Sequence, residues 1–240
     1  MNELLNFAIE AHGGLSAWNA FGSLELKASI GGAIWDFKQT PGLLKDVTYD
    51  MRTHEERLMI TGFSAPDRRI KFVPDRLLLE KLDGTPIESR DNPRAAFAGQ
   101  KPETPWDILQ AAYFASYAPW TYFNSPFLYT LPGFRTQEIE PWHENGEIWR
   151  RLKVTFPDNV ASHGKEQITY FGPDGLMRRH DYTVEILGGA TGANYALGYR
   201  KCQGIQVPMR RRIYAYDEKL AKVPEPLLVS IDIAEATFRA

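Results

Sequence analysis

A single cysteine, Cys202, stands in 240 residues, so no intrachain disulfide can form. With no His or Asp near it in sequence, that thiol reads as a small semi-buried side chain rather than a nucleophile. No segment approaches the roughly 18 consecutive apolar residues of a membrane-spanning helix. The opening Met1-Asn2-Glu3-Leu4-Leu5 lacks the basic start and apolar run of a secretory signal. The expectation is a cytoplasmic protein, or a periplasmic one if a leader has been trimmed. Neither sign of charge dominates: the formal charge of -2 gives no global attraction to nucleic acid or an anionic membrane.

The nucleotide-binding patterns GxGxxG and GxxxxGK[ST] are missing, as are HExxH and paired CxxC. No cofactor and no metal site are therefore expected. Gly62-Phe63-Ser64-Ala65-Pro66 matches a nucleophile elbow only in part, since a proline replaces the second glycine and the segment joins two strand patterns.

What the sequence does contain is strand periodicity. Residues 2–12 read as a helix with Leu4, Leu5, Ala8 and Ile9 on one stripe, ended by Gly13-Gly14. A short turn then carries Trp18 and Phe21 to the core. From residue 23 apolar and polar residues alternate: Leu24, Leu26 and Ala28 against Ser23, Glu25 and Lys27. Gly31-Gly32 is a hairpin signal, with 33–39 returning as a strand. Further strands are expected at 43–51, 55–63, 68–73 and 76–82, divided by turn formers such as Pro41-Gly42 and Pro74-Asp75. Residues 86–103 read as a loop. Thr104 as N-cap, Pro105 at N1 and Asp107 at N3 announce a helix that Pro119 should end at Ala118. Strands resume near 134 and are expected at 147–156, 163–171, 175–187, 205–216 and 227–238. The fold expected is mainly β (α+β): a curved antiparallel sheet with an N-terminal helix and a central helical insert, forming one domain over 1–240.

Two clusters suggest a site. Nine of the 25 residues from Pro105 to Tyr129 are aromatic, and Trp106, Tyr113, Tyr117 and Trp120 recur at helical spacing. Tyr and Trp combine an apolar body with one polar atom, which suits a cavity wall as well as a packed core. Arginine doublets and a triplet (Arg68-Arg69, Arg150-Arg151, Arg178-Arg179, Arg210-Arg211-Arg212) fall within strand patterns. Alternation places one member of each among apolar residues: Arg150 with Leu152 and Val154, Arg178 with His180 and Tyr182, Arg211 with Met209 and Ile213. A guanidinium on such a face needs a carboxylate from this chain or an anionic ligand group. A tight hairpin at Gly172-Pro173-Asp174-Gly175 would set Thr169 opposite Arg178 and Gln167 opposite His180. The expected ligand-binding residues are Arg150, Arg178, His180, Tyr182, Gln167, Trp106, Tyr113, Tyr117 and Trp120.

The opening His12-Gly13-Gly14-Leu15 with Trp18, followed by a meander interrupted by helices, resembles the LolA/LolB lipoprotein-carrier superfamily. The resemblance implies an unclosed antiparallel barrel whose mouth is plugged by helices around a greasy cavity. Those carriers have a leader or a lipidated cysteine near the start, which this chain does not show, and no functional residue of theirs is carried over. The leading expectation is non-catalytic binding of a lipophilic small molecule or acyl chain with a polar or acidic head, with no nucleic-acid partner and no membrane span. The alternatives are a cofactor-independent enzyme using His180 as acid or base, and a scaffold for a protein partner.

Overall fold

The structure, a computed structural model, describes residues 2–240. Thirteen strands form one antiparallel sheet that does not close. The first half of the chain runs outward as a meander: β1 (Ser23–Gly31), β2 (Val47–Arg52), β3 (Leu58–Thr61), β4 (Arg68–Val73), β5 (Arg76–Lys81) and β6 (Pro86–Asp91). The second half starts at the other edge and returns: β7 (Arg135–Glu144), β8 (Glu147–Thr155), β9 (Glu166–Phe171), β10 (Met177–Val184), β11 (Ala190–Cys202), β12 (Ile205–Tyr214) and β13 (Val229–Arg239). β13 pairs with β1 along its length, Ser23 opposite Arg239 and Gly31 opposite Ser230, so the two meanders join at the centre. The link from edge β6 to edge β7 carries the helical insert. Each edge holds a proline beside a bulge: Pro86 next to an extra residue at Ile87, and Pro141 where Glu140 and Pro141 oppose Arg150 alone.

Helix α1 (Glu3–Ala11) is capped by Asn2, whose side chain accepts from the Leu5 amide, and buries the expected stripe. α2 (Leu15–Asn19) places Trp18 face to face with Phe127, ring centroids 4.4 Å apart. Residues 33–39 are not the expected strand. Gly32, at φ 111°, turns the chain so closely past β13 that an added Cβ would sit 2.4 Å from the Leu228 carbonyl, and Ala33–Phe37 forms helix α3. The glycine pair serves this close approach rather than a hairpin. The loop expected at 86–103 is instead β6 followed by a 3-10 turn at Pro93–Phe97. β6 is exposed on nearly every residue, so it lacks the alternation that marks the inner strands. β11 was not anticipated either, because Gly192 and Gly198 interrupt its pattern.

The central helix α4 (Ile108–Asn124) lies against the sheet and is buried from Leu109 to Asn124. Its cap is Asp107, not Thr104, in a reciprocal capping box with Gln110 at 2.8 and 3.0 Å. It also runs through Pro119. The ring removes the amide that would bond the Ala115 carbonyl, and the buried Tyr49 hydroxyl of β2 donates to that carbonyl at 3.1 Å instead. A partner from another element thus allows the helix to continue past the expected stop.

Candidate ligand-binding site

A cavity of about 340 Å³ lies between α3, α4 and the strands from β10 to β13. Its walls are apolar almost throughout: Phe37 and Ile34 from α3, Phe114 and Pro119 from α4, Ile213 and Ile231 from β12 and β13. The small Ala115 and Ala118 on the same face of α4 leave the space that larger residues would fill. Phe37, 53% exposed, marks the mouth. Lys38, itself buried, ties the end of α3 to the loop that leads into α4 by donating to the Pro102 and Thr104 carbonyls. Such a volume and lining match a small-molecule pocket.

Tyr122 and Tyr182 also line the cavity, and they belong to a buried hydrogen-bonded chain. The Tyr117 hydroxyl meets His163 Nδ1 at 2.9 Å, His163 Nε2 meets the Tyr122 hydroxyl at 2.6 Å, and Tyr122 meets Tyr182 at 2.5 Å. Burial holds His163 well below its usual range and raises all three tyrosines, so each group is neutral. A neutral imidazole carries one N–H. Four protons therefore serve three bonds, and one proton is spare. If His163 carries it on Nδ1, the spare donor is the buried Tyr117 hydroxyl; if on Nε2, it is one of the two tyrosines lining the cavity.

Beside this chain three strands each aim a polar side chain inward. His180 of β10 and Asn194 of β11 are register partners, Asn194 is in turn opposite Ile213 of β12, and Arg211 of β12 is opposite Ile231 of β13. All three polar residues are at most 1% exposed. Arg211 Nη2 donates to the Tyr122 carbonyl in the last turn of α4 at 2.7 Å, and Nη1 reaches Asn194 Oδ1 at 3.4 Å. A cation at a helix C-terminus is favourable. No carboxylate among the described residues pairs with it, and Arg211 Nε, Asn194 Nδ2 and both His180 ring nitrogens have no hydrogen-bond partner among them. Burial, then the nearby Arg211 charge, pushes the His180 pKa down to about 3.

The expected site residues divide among these environments. Tyr182 lines the cavity and ends the polar chain, Tyr117 begins that chain behind the wall, and His180 is buried beside it without lining the cavity. Gln167 is buried and donates to the Gly164 carbonyl at 3.0 Å. Trp120 donates to the Arg52 carbonyl at 2.8 Å, and Trp106 packs on Lys38, Phe97 and Phe114. Tyr113 faces a second recess of about 700 Å³, whose cations are already paired, Arg94 with Glu185 and Lys165 with Asp158.

Arg150 and Arg178 do not point into the cavity. The 172–175 hairpin has a bulge: Met177 opposes Phe171, one position from the expected register, and beyond the bulge Arg179 opposes Tyr170 and His180 opposes Thr169, two positions from it. Arg178 falls in the bulge and pairs with Glu147 at 3.1 Å and Asp174 at 3.0 Å, 23% exposed. Arg150 keeps the inward phase of Leu152 but sits at the rim, paired with Glu138 at 2.7 Å and Glu3 at 3.5 Å. Arg211 is the arginine that reaches the interior. His163, Asn194, Tyr122 and Phe114 were not among the expected residues. The cavity face of α4, Phe114-Ala118-Tyr122, lies one position on from Tyr113-Tyr117, and its alanines beside aromatics were the signal available.

An unclosed antiparallel sheet holding a buried helix and an apolar cavity defines the LolA-like fold, and this chain has it. A LolA superfamily protein from Nitrosomonas europaea matches with a TM-score of 0.52 at 10% identity, over 97% of this chain and 92% of that one. A putative outer membrane lipoprotein-sorting protein domain from Vibrio parahaemolyticus gives 0.53 at 10% identity, over 98% and 92%. A DUF1329 family protein from Desulfovibrio piger gives 0.51 at 12% identity, over 98% and 91%. No protein-family model and no curated protein sequence matches the chain.

Proposed function

We propose that this protein binds, without catalysis, a lipophilic small molecule or acyl chain with a polar or acidic head. The observation that carries this reading is the apolar cavity beside α4, open at Phe37 and bounded on its inner side by the Tyr122–Tyr182 pair. Each methylene buried there contributes about 0.8 kcal/mol, so binding strengthens with the length of chain the cavity takes up. The LolA-like fold and the lipoprotein-sorting neighbour support a lipid ligand and a site of action outside the cytoplasm, in place of the cytoplasmic location expected from the N-terminus. The enzyme alternative rested on His180, whose ring nitrogens meet no second acid–base group among the described residues. Among those residues no helix is long and apolar enough to cross a membrane.

The test is native mass spectrometry of protein purified from its expression host, combined with titration of an apolar fluorescent dye. A bound lipophile, or dye binding lost in Ala118→Leu at unchanged stability, is the expected result. Dye affinity equal in both proteins would place the binding elsewhere and overturn the assignment of the cavity.

A further inference from the structure

We propose that Arg211, Asn194 and His180 form an interior receptor for the carboxylate of that ligand, so that the chain favours carboxylate-bearing lipophiles over their neutral esters and alcohols. The inference rests on the cavity-binding reading above. It is carried by the imbalance of the three residues. They are fully buried, hold one formal positive charge with no pairing carboxylate among the described residues, and leave Arg211 Nε, Asn194 Nδ2 and both His180 ring nitrogens unpartnered. An unpaired buried charge is costly, and an N–H-rich, positively charged group of this kind complements a monoanionic oxygen pair. The contacts of Arg211 with the Tyr122 carbonyl and with Asn194 Oδ1 account for its two terminal nitrogens and leave Nε unaccounted for.

The position suits an amphiphile. Ile213 and Ile231 line the cavity, and they are the cross-strand partners of Asn194 and Arg211 respectively. Tyr122 and Tyr182 stand between cavity and receptor. Both line the former, while their ring centroids lie 6.0 and 5.2 Å from that of His180, and the Arg211 guanidinium lies 5.3 Å from the Tyr122 ring. A carboxylate entering first displaces the Tyr122 ring to reach Arg211, and the hydrocarbon chain trails through the apolar cavity toward Phe37.

Displacement of the apolar dye by decanoate, methyl decanoate, decanol and acetate tests this in the wild type, Asn194→Asp and Arg211→Met. The wild type should bind decanoate at least roughly tenfold more tightly than methyl decanoate, since charge-assisted hydrogen bonds are about twice as strong as neutral ones. Asn194→Asp supplies Arg211 with an internal counter-ion in nearly the same shape. It should abolish the preference for the acid and keep the fold even if Arg211→Met fails to. Equal affinity for acid and ester in the wild type would overturn the inference, as would a preference that survives Asn194→Asp. Acetate competing as well as decanoate would replace the amphiphile by a small free anion and likewise overturn it. If none of the long-chain probes displaces the dye, the cavity-binding reading fails first and the receptor with it.

Discussion

Arg178 and Arg179 are neighbours in sequence with opposite surroundings. Arg179 is 0% exposed on the outer face, bonded to both oxygens of Asp181 at 2.6 and 2.8 Å, to Glu144 at 3.0 Å and to the Leu220 carbonyl at 2.8 Å, among the rings of Trp142, Tyr170, Tyr195 and Tyr216. Arg179→Met strands the buried Asp181 and should cost about 3–5 kcal/mol, whereas Arg178→Met removes partly exposed pairs and should cost less than about 1 kcal/mol; urea melts of the two variants check the contrast. His12 offers a pH test. Its Nδ1 donates to the Ala8 carbonyl at 2.7 Å, and burial pushes its pKa down to about 4. The unfolded chain protonates near 6.5 while the fold does not, so this residue's contribution is intact above pH 6.5, is lost as pH falls, and changes no further below about 4. The loss amounts to about 3 kcal/mol, and His12→Gln should flatten the pH dependence of stability by that amount in denaturant melts at pH 7 and pH 4. Buried Glu56, whose pKa is raised by desolvation, acts in the opposite sense in both proteins and so cancels in the comparison. At this scale alternation put His180 and Tyr182 on the inner face correctly. It failed for Arg178 because a one-residue bulge is invisible in a hydrophobic pattern.

The elements that were legible are those whose signal is local. β1, β4 and β5 fall where the alternation puts them, and the stripe of α1 is buried as expected. The errors occur where a distant residue decides. α3 forms where a strand was expected because Gly32 must clear Leu228, far along the chain. α4 passes Pro119 because Tyr49, distant in sequence, satisfies Ala115. That relation predicts a coupled pair. Tyr49→Phe should cost about 1–3 kcal/mol by leaving a buried carbonyl unpartnered. In Pro119→Ala the restored amide at 119 can bond Ala115, so the same change should cost less. A double-mutant cycle by chemical denaturation measures the difference, and strict additivity would show that Tyr49 does not serve the helix in this way.

At the scale of the whole molecule the antiparallel sheet was readable from short strands at regular spacing, and its unclosed form came from the resemblance carried by the opening His12-Gly13-Gly14-Leu15 and Trp18. The meeting of β1 with β13 was not, because strands at opposite ends of the sequence share no local signal. The cavity lies beyond such reading too, since it exists only where α3, α4 and four late strands converge. The open outline of the sheet has one further consequence, at β6 and β7. A sheet that never closes presents two rows of backbone donors and acceptors on which a second molecule could template itself. Pro86 and Pro141 each delete a donor there, and the adjoining bulges at Ile87 and at Glu140-Pro141 bend the strands away from a straight docking line. Pro141→Val with Glu140 deleted would leave β7 straight and fully equipped to pair. The expected outcome is concentration-dependent strand-to-strand dimers or fibrils in light scattering, while the unaltered chain at the same concentration stays monodisperse. On that outcome, the irregularities at the rim are what keeps an open sheet from extending itself onto a second copy.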